Sequence, residues 1–393
     1  MKDKAILKPP HHGRRSVSLR AKVISLLLFG LLLAQPAAAL SYPITIQFGR
    51  SWPLSVVVDS NRGLAYADGT SGENPPTGFT FGVINLTSHE LVKVLPLDEI
   101  PGPVALDPSN GDVYVAGNYS IAIFDQATQN FSGLIEVGHP ILYMIYDGNV
   151  SGNIFVTAGD GVYAFNPQTG AMTANATVSG GLDGMVVDPS NGMLYVSEYT
   201  TGEIAVFNPS NLEPAGVIEL PTCCASMLAL NSNTQMLYAS TGTGYVDVIN
   251  VGTNSFEKTF QVAPSSQNST NAIVADDETG RVYVASSPGG SVLEIDGSTG
   301  TVLQTLKVPG DSAVAGLALD TKTGELYATN YHQLTVFDAG RGRGYLLLLV
   351  LAALLIVASV VIIVGVMKWR ESRERKSIQS GLQPKDAERI AGA

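Results

Sequence analysis

The sequence predicts an all-β fold, a seven-bladed β-propeller whose N-terminal strand closes the last blade, followed by one C-terminal transmembrane α-helix. Three observations carry this expectation. A motif recurs seven times through the middle of the chain, a strand-like segment stands ahead of the first repeat with no unit of its own, and a long apolar run follows the last repeat.

The repeats are VVDSNRGLAYA, ALDPSNGDVYV, IYDGNVSGNIFV, VVDPSNGMLYV, ALNSNTQMLYA, VADDETGRVYV and ALDTKTGELYA. Their aromatics, Tyr66, Tyr114, Phe155, Tyr195, Tyr238, Tyr283 and Tyr327, are separated by 48, 41, 40, 43, 45 and 44 residues. Such a period marks an array of supersecondary units. Three residues before the aromatic stands a glycine in every unit but one, where Gln235 takes its place; seven before it stands Asp or Asn in six units, and Asp147 is one position earlier in the third. An Asx side chain that caps its own turn, followed by a glycine free to adopt positive φ, makes a hairpin. After that hairpin come a third strand, such as SIAIFD or EIAVFN, and a fourth, such as AGVIELP. Four antiparallel strands in a unit of this length make a propeller blade.

The seventh unit supplies only three strands, AVAGLALD, ELYATN and QLTVFD, whereas Tyr42–Phe48 is a strand with no unit ahead of it. Placed beside QLTVFD, it closes the ring and removes the open sheet edge. Residues 40–340 are therefore expected to form the propeller. Tyr345–Met367 has no charged residue, and a helix of that length spans a hydrocarbon core of about 30 Å. Lys368, Arg370, Arg373, Arg375 and Lys376 follow at once. The excess of positive charge puts a short basic tail, residues 368–393, in the cytoplasm and the propeller outside. Residues 1–39 combine a basic stretch, an apolar run and Ala37-Ala38-Ala39, the pattern of a cleavable signal peptide. An uncleaved N-terminal anchor is the alternative, and Arg14-Arg15 leaves a twin-arginine route open behind ordinary secretion.

Charge narrows the partners. Residues 40–340 carry seven Lys/Arg against 29 Asp/Glu, a net of −22. A nucleic-acid partner is excluded on that ground, because phosphate neutralisation needs clustered cations.

The stretches DPSNGDVYVAG, DPSNGMLYVSE and DTKTGELYATN resemble the YVTN family of β-propeller repeats, found in archaeal and bacterial cell-surface and surface-layer-like proteins. The resemblance covers roughly residues 42–338. It implies a seven-bladed, cell-surface propeller and carries over no catalytic residue.

Connections between blades and loops between a blade's second and third strands should share the face on which propeller ligands enter. Trp52, His139 and His332 fall there and could line one rim. Cys223 and Cys224, the two cysteines of the chain, are adjacent on one such loop in an oxidising compartment. They are candidates for a vicinal disulfide that faces a ligand. Asp68, Glu73, Asp183, Glu198, Glu203 and Asp311 are expected as a solvated acidic rim, with cation binding as the alternative. Asp147–Gly152 copies half of a calcium loop but has Ala158 where the closing Glu belongs, so the hairpin-turn reading is preferred and no metal or other cofactor is assigned. Sequons at Asn85, Asn118, Asn130, Asn149, Asn175 and Asn268 are candidate glycosylation sites.

Walker, zincin, nucleophile-elbow and haem-attachment motifs are missing. The favoured function is a membrane-anchored binding module for a protein, glycan or envelope component. The alternative is an extracytoplasmic propeller enzyme of the lyase, lactonase or quinone-dependent dehydrogenase type, with a metal or cofactor in the channel. A structural spacer is the third reading. Converging acids, His or Asn in the channel mouth would favour the enzyme; an exposed aromatic patch would favour the binding module.

Overall fold

The computed structural model describes residues 42–48, 51–71, 78–159, 161–178, 180–263, 272–286, 289–310, 313–330, 333–339 and 341–379. The signal-peptide expectation at 1–39 lies outside them. Within the described residues, seven antiparallel sheets of four strands each make seven blades. The innermost strands, Ser51–Asp59, Val104–Leu106, Ile141–Asp147, Leu182–Asp188, Ala225–Asn231, Ile273–Ala275 and Val314–Asp320, each touch the next, and the seventh touches the first. The fold is therefore a closed seven-bladed propeller.

Turn chemistry behaves as the repeat predicts. In blade 1, the Asp59 carboxylate accepts from the amides of Asn61 and Arg62, both at 3.0 Å, and Gly63 at φ 69° returns its own amide to the Asp59 carbonyl. Gln235, the exception to the glycine rule, is forced to φ 57°, a conformation costly for a residue with a Cβ. Asp147 caps the third turn through Asn149, Val150 and Ser151, so this segment is a hairpin turn with one extra residue.

The repeat aromatics are wedges between blades. All seven are buried. Each belongs to an apolar cluster shared by its own blade and the following one, from Tyr66 with Phe81, Val104 and Val113 between blades 1 and 2 to Tyr327 with Ile46, Ala65 and Leu334 between blades 7 and 1. Burying such a ring stabilises the fold by about 1.5–3 kcal/mol. The Tyr hydroxyls reach across to the next blade: Tyr195 donates to Asn254 at 2.6 Å, Tyr238 to the Gly297 carbonyl at 3.1 Å and Tyr283 to the Ala339 carbonyl at 3.2 Å.

Two positions beyond each aromatic stand Asp68, Ala116, Thr157, Ser197, Ser240, Ala285 and Thr329. In the five blades with a polar residue there, the innermost strand shifts register against its neighbour. In the two alanine blades that ladder runs straight. A bulge frees a backbone amide from the ladder, and the polar side chain takes it up. Ser55 N donates to Asp68 at 2.9 Å, Gly184 N to Ser197 at 2.8 Å, Met227 N to Ser240 at 3.2 Å and Gly316 N to Thr329 at 2.7 Å. Several of these hydroxyls also bridge to the next blade: Thr157 donates to the Asp183 carbonyl at 3.3 Å, Ser197 to that of Ser226 and Thr329 to that of Leu54 at 3.1 Å.

Ring closure follows the expected route. Ile44–Gln47 pairs antiparallel with Gln333–Asp338, Ile44 opposite Val336 and Gln47 opposite Gln333. A buried polar clasp locks this seam. The Glu325 carboxylate accepts from Tyr42 of the closing segment, from His89 Nε2 of blade 1 at 3.0 Å and from Tyr327 at 2.9 Å. Burial opposes ionisation of Glu325, yet these hydrogen bonds outweigh it and hold the carboxyl below the 4.5 of an ordinary glutamate.

The helix, α1, runs Arg341–Gln379, longer at both ends than the apolar run. Its extension continues through the basic stretch, where Arg and Glu are good helix formers and the Arg373 guanidinium sits 4.6 Å from the centroid of the Trp369 ring one turn back. By length and composition it can cross a membrane.

The seven positions two beyond the aromatics form a belt around the ring, and removing a belt hydroxyl without changing volume, as in Thr329→Val, leaves Gly316 N and the Leu54 carbonyl unpaired, an expected loss of about 1–3 kcal/mol in urea unfolding. Glu325→Ala should cost about 3 kcal/mol by orphaning the clasp. Because the folded carboxyl ionises below the unfolded one, its stabilisation is present above pH 4.5 and lost as pH falls through the lower folded value. Wild-type protein should therefore lose stability in acid more steeply than the variant.

Candidate functional site

Backbone hydrogen bonds distinguish two faces. On one, the loops between second and third strands touch the connections that lead to the next blade, as in Leu220 N to Gly202 O and Ile141 N to Asn118 O, both at 3.0 Å. On the other, the Asp-capped hairpin turns touch the turns between third and fourth strands, as in Leu86 N to Gly63 O and Val251 N to Gln235 O, both at 3.0 Å. The last strand, Gln333–Asp338, ends on this turn face, where Ala339 N donates to Gly324 O at 2.8 Å. The helix therefore leaves from the turn face, and Tyr42, bound to Glu325, begins the closing segment on the same side.

The loop face carries the chemistry. Cys223 and Cys224 are joined in a vicinal disulfide on the connection into blade 5, with Cys224 at φ 74°. Cys223 is exposed and Cys224 partly so. Tyr199, 43% exposed, stands beside this pair, and Tyr119 and Leu142, 48% and 49% exposed, occupy the same face on other blades. Inward from the disulfide, the Ser226 hydroxyl donates to Asp183 at 2.6 Å. Burial pushes the Asp183 carboxyl above its ordinary range, against that hydrogen bond.

The central channel forms a cavity of about 580 Å³. Its lining comes mostly from the innermost strands, with apolar side chains such as Leu54, Val57, Leu142, Met227, Ile273 and Leu317 beside the hydroxyl-bearing Ser55, Tyr143 and Tyr146, and among the described residues it holds no carboxylate, imidazole, amide or cationic side chain. Among the described residues, no three His, Cys, Asp or Glu side chains converge.

Other expected residues distribute differently. His139 is exposed but stacks on Tyr163 of blade 3, ring centroids 5.1 Å apart, and so packs a loop. Only the backbone of Trp52 is described, in strand Ser51–Asp59. His332, Glu73, Asp311 and Asn268 lie outside the described residues. The acidic rim is corrected in part: Asp68 and Glu198 are buried rather than solvated. Asp68 occupies the belt position of blade 1, where strand alternation turns it inward. Burial raises its carboxyl to about 8, against hydrogen bonds from the backbone amides of Ser55, Asp68 and Leu54. Burial also raises Glu198, opposed by Thr201. Asp247, which the sequence reading missed, is raised in the same way against bonds from Thr222 and Thr259. Of the sequons, Asn118, Asn130, Asn149 and Asn175 are exposed, while the half-buried Asn85 caps a turn through Thr87 N and Ser88 N, both at 2.9 Å.

The chain matches no protein-family model, and no curated protein matches it.

The Asp68 carboxyl makes a testable contribution to stability. Between 3.8 and about 8 the folded state retains a proton that the unfolded chain has lost, so stability falls as pH rises through that window. Asp68→Asn keeps the acceptor for Ser55 N and removes the titration. Urea unfolding across the window should show a flatter pH profile for the variant, which becomes the more stable protein at its alkaline end.

Proposed function

We propose that the protein is a single-pass, membrane-anchored cell-surface propeller that acts as a binding module, with its loop face directed away from the bilayer towards a protein, glycan or envelope component. The observation that carries this reading is the opposition of the two faces. The anchor leaves from the turn face, while the disulfide and the exposed Tyr119, Leu142 and Tyr199 lie on the other.

Three further features support it. The net charge of −22 in residues 40–340 suits a soluble surface domain. A disulfide between neighbouring cysteines accords with an oxidising compartment, and the basic run after the apolar helix accords with a cytoplasmic C-terminus. The kinship to YVTN repeat proteins, glycosylation at the exposed sequons and removal of residues 1–39 as a signal peptide belong to the same proposal.

The test uses the full chain in nanodiscs, presented with an envelope fraction from cells lacking the protein. Binding should fall about tenfold with Leu142→Arg together with Tyr199→Arg on the loop face, the loss expected when exposed apolar anchors are replaced. It should be unchanged with Ala127→Arg, an exposed turn-face position. Equal effects from the two faces, or no binding at all, would sink the reading.

A further inference from the structure

Three segments of the loop face converge above Gly242, between the second and third strands of blade 5. A Cβ at Gly242 would stand 3.1 Å from Tyr199 Oη, 3.7 Å from Tyr199 Cε2 and 3.8 Å from Cys224 Cβ. The glycine thus leaves room for the Tyr199 ring to lie beside the disulfide. Each part is held from behind. Tyr199 N donates to Gly181 O at 2.6 Å, Gly181 N donates to Thr200 Oγ1 at 3.1 Å, and Gly242 N donates to Cys224 O at 3.2 Å. Close backbone packing of Gly202 against Thr222 and Cys223 fixes the disulfide loop from blade 4.

We propose that this shelf, the Tyr199 ring with the Cys223–Cys224 disulfide, binds the apolar face of a pyranose ring in a neutral or amino-sugar saccharide. The proposal rests on the binding-module reading and names its ligand class. A pyranose presents a flat patch of C–H groups rimmed by hydroxyls. The first needs a rigid, polarisable surface, and an aromatic ring supplies a large one at low conformational cost. A disulfide between adjacent residues keeps the neighbouring sulfurs from rearranging, so little ordering is lost on binding. The second needs polar groups, which the Tyr199 hydroxyl supplies on the shelf itself.

Size and charge decide against the other classes. One half-exposed ring and one disulfide offer far less than the roughly 800 Å² per partner of a stable protein interface, yet they match a single sugar. The ectodomain's net charge of −22 opposes a polyanionic saccharide. The channel side of the shelf, where Ser226 meets Asp183, adds an acceptor and no cation.

Saturation-transfer NMR on the full chain in nanodiscs, with cellotriose, maltotriose and chitotriose as probes, tests this. Transfer to the ring C–H protons of at least one probe is expected. Tyr199→Ala should abolish it with an unchanged thermal melt, Tyr199→Trp should restore it, and Gly242→Val, which pushes the ring off its seat, should weaken it about tenfold. Silence from all three probes, or transfer unaffected by Tyr199→Ala, overturns the saccharide assignment. If the envelope fraction still binds through the loop face while the probes are silent, only the ligand class falls; if it does not bind, the binding-module reading falls with it.

Discussion

Ile44–Gln47 and Gln333–Asp338 form one short ladder, and the integrity of the ring depends on it. Each blade is a thin sheet that buries its two faces against two neighbours, so an incomplete ring would expose the apolar sides of its first and last members. The seam meets this demand with an apolar cluster like the other six and adds the Glu325 clasp, which draws on the closing segment, blade 1 and blade 7 at once. At three other interfaces the hydroxyl of Tyr195, Tyr238 or Tyr283 spans the gap by itself. At the seam Tyr327 reaches blade 1 through Glu325 and His89.

The repeat has its own economy. Asp or Asn and Gly shape the hairpin, the aromatic wedges apart and joins two blades, and the belt position adjusts the innermost strand. These roles share a few residues because the chain passes through the same geometry seven times. Where a unit departs from the pattern, the backbone adapts locally: an extra residue in the Asp147 turn, positive φ at Gln235, straight ladders beside Ala116 and Ala285.

Much of this architecture was legible in the residues. Hairpin signals are local, so Asp59 and Gly63 announce their turn from five residues of chain. The borrowed strand was legible because Tyr42–Phe48 had no unit of its own. The clasp was not, since nothing near His89 in sequence points to Glu325, 236 positions away. The belt could have been found by aligning the residue two places after the aromatic, but its meaning depends on bulges that only the register reveals. Asp68 was misread as a rim acid for that reason. In the candidate site, the cysteine pair was visible as a pair, while its companion Tyr199 becomes meaningful only when Gly242 brings a second blade beneath it.

The last strand has a mechanical consequence. Gln333–Asp338 is flanked on both sides, by Glu325–Asn330 and by Ile44–Gln47, and its final residue leads towards the helix. A pull on α1 runs along this strand. It loads both ladders lengthwise and together, as shear, instead of peeling their bonds in succession. The strand that completes the ring thus also reinforces the root of the helix.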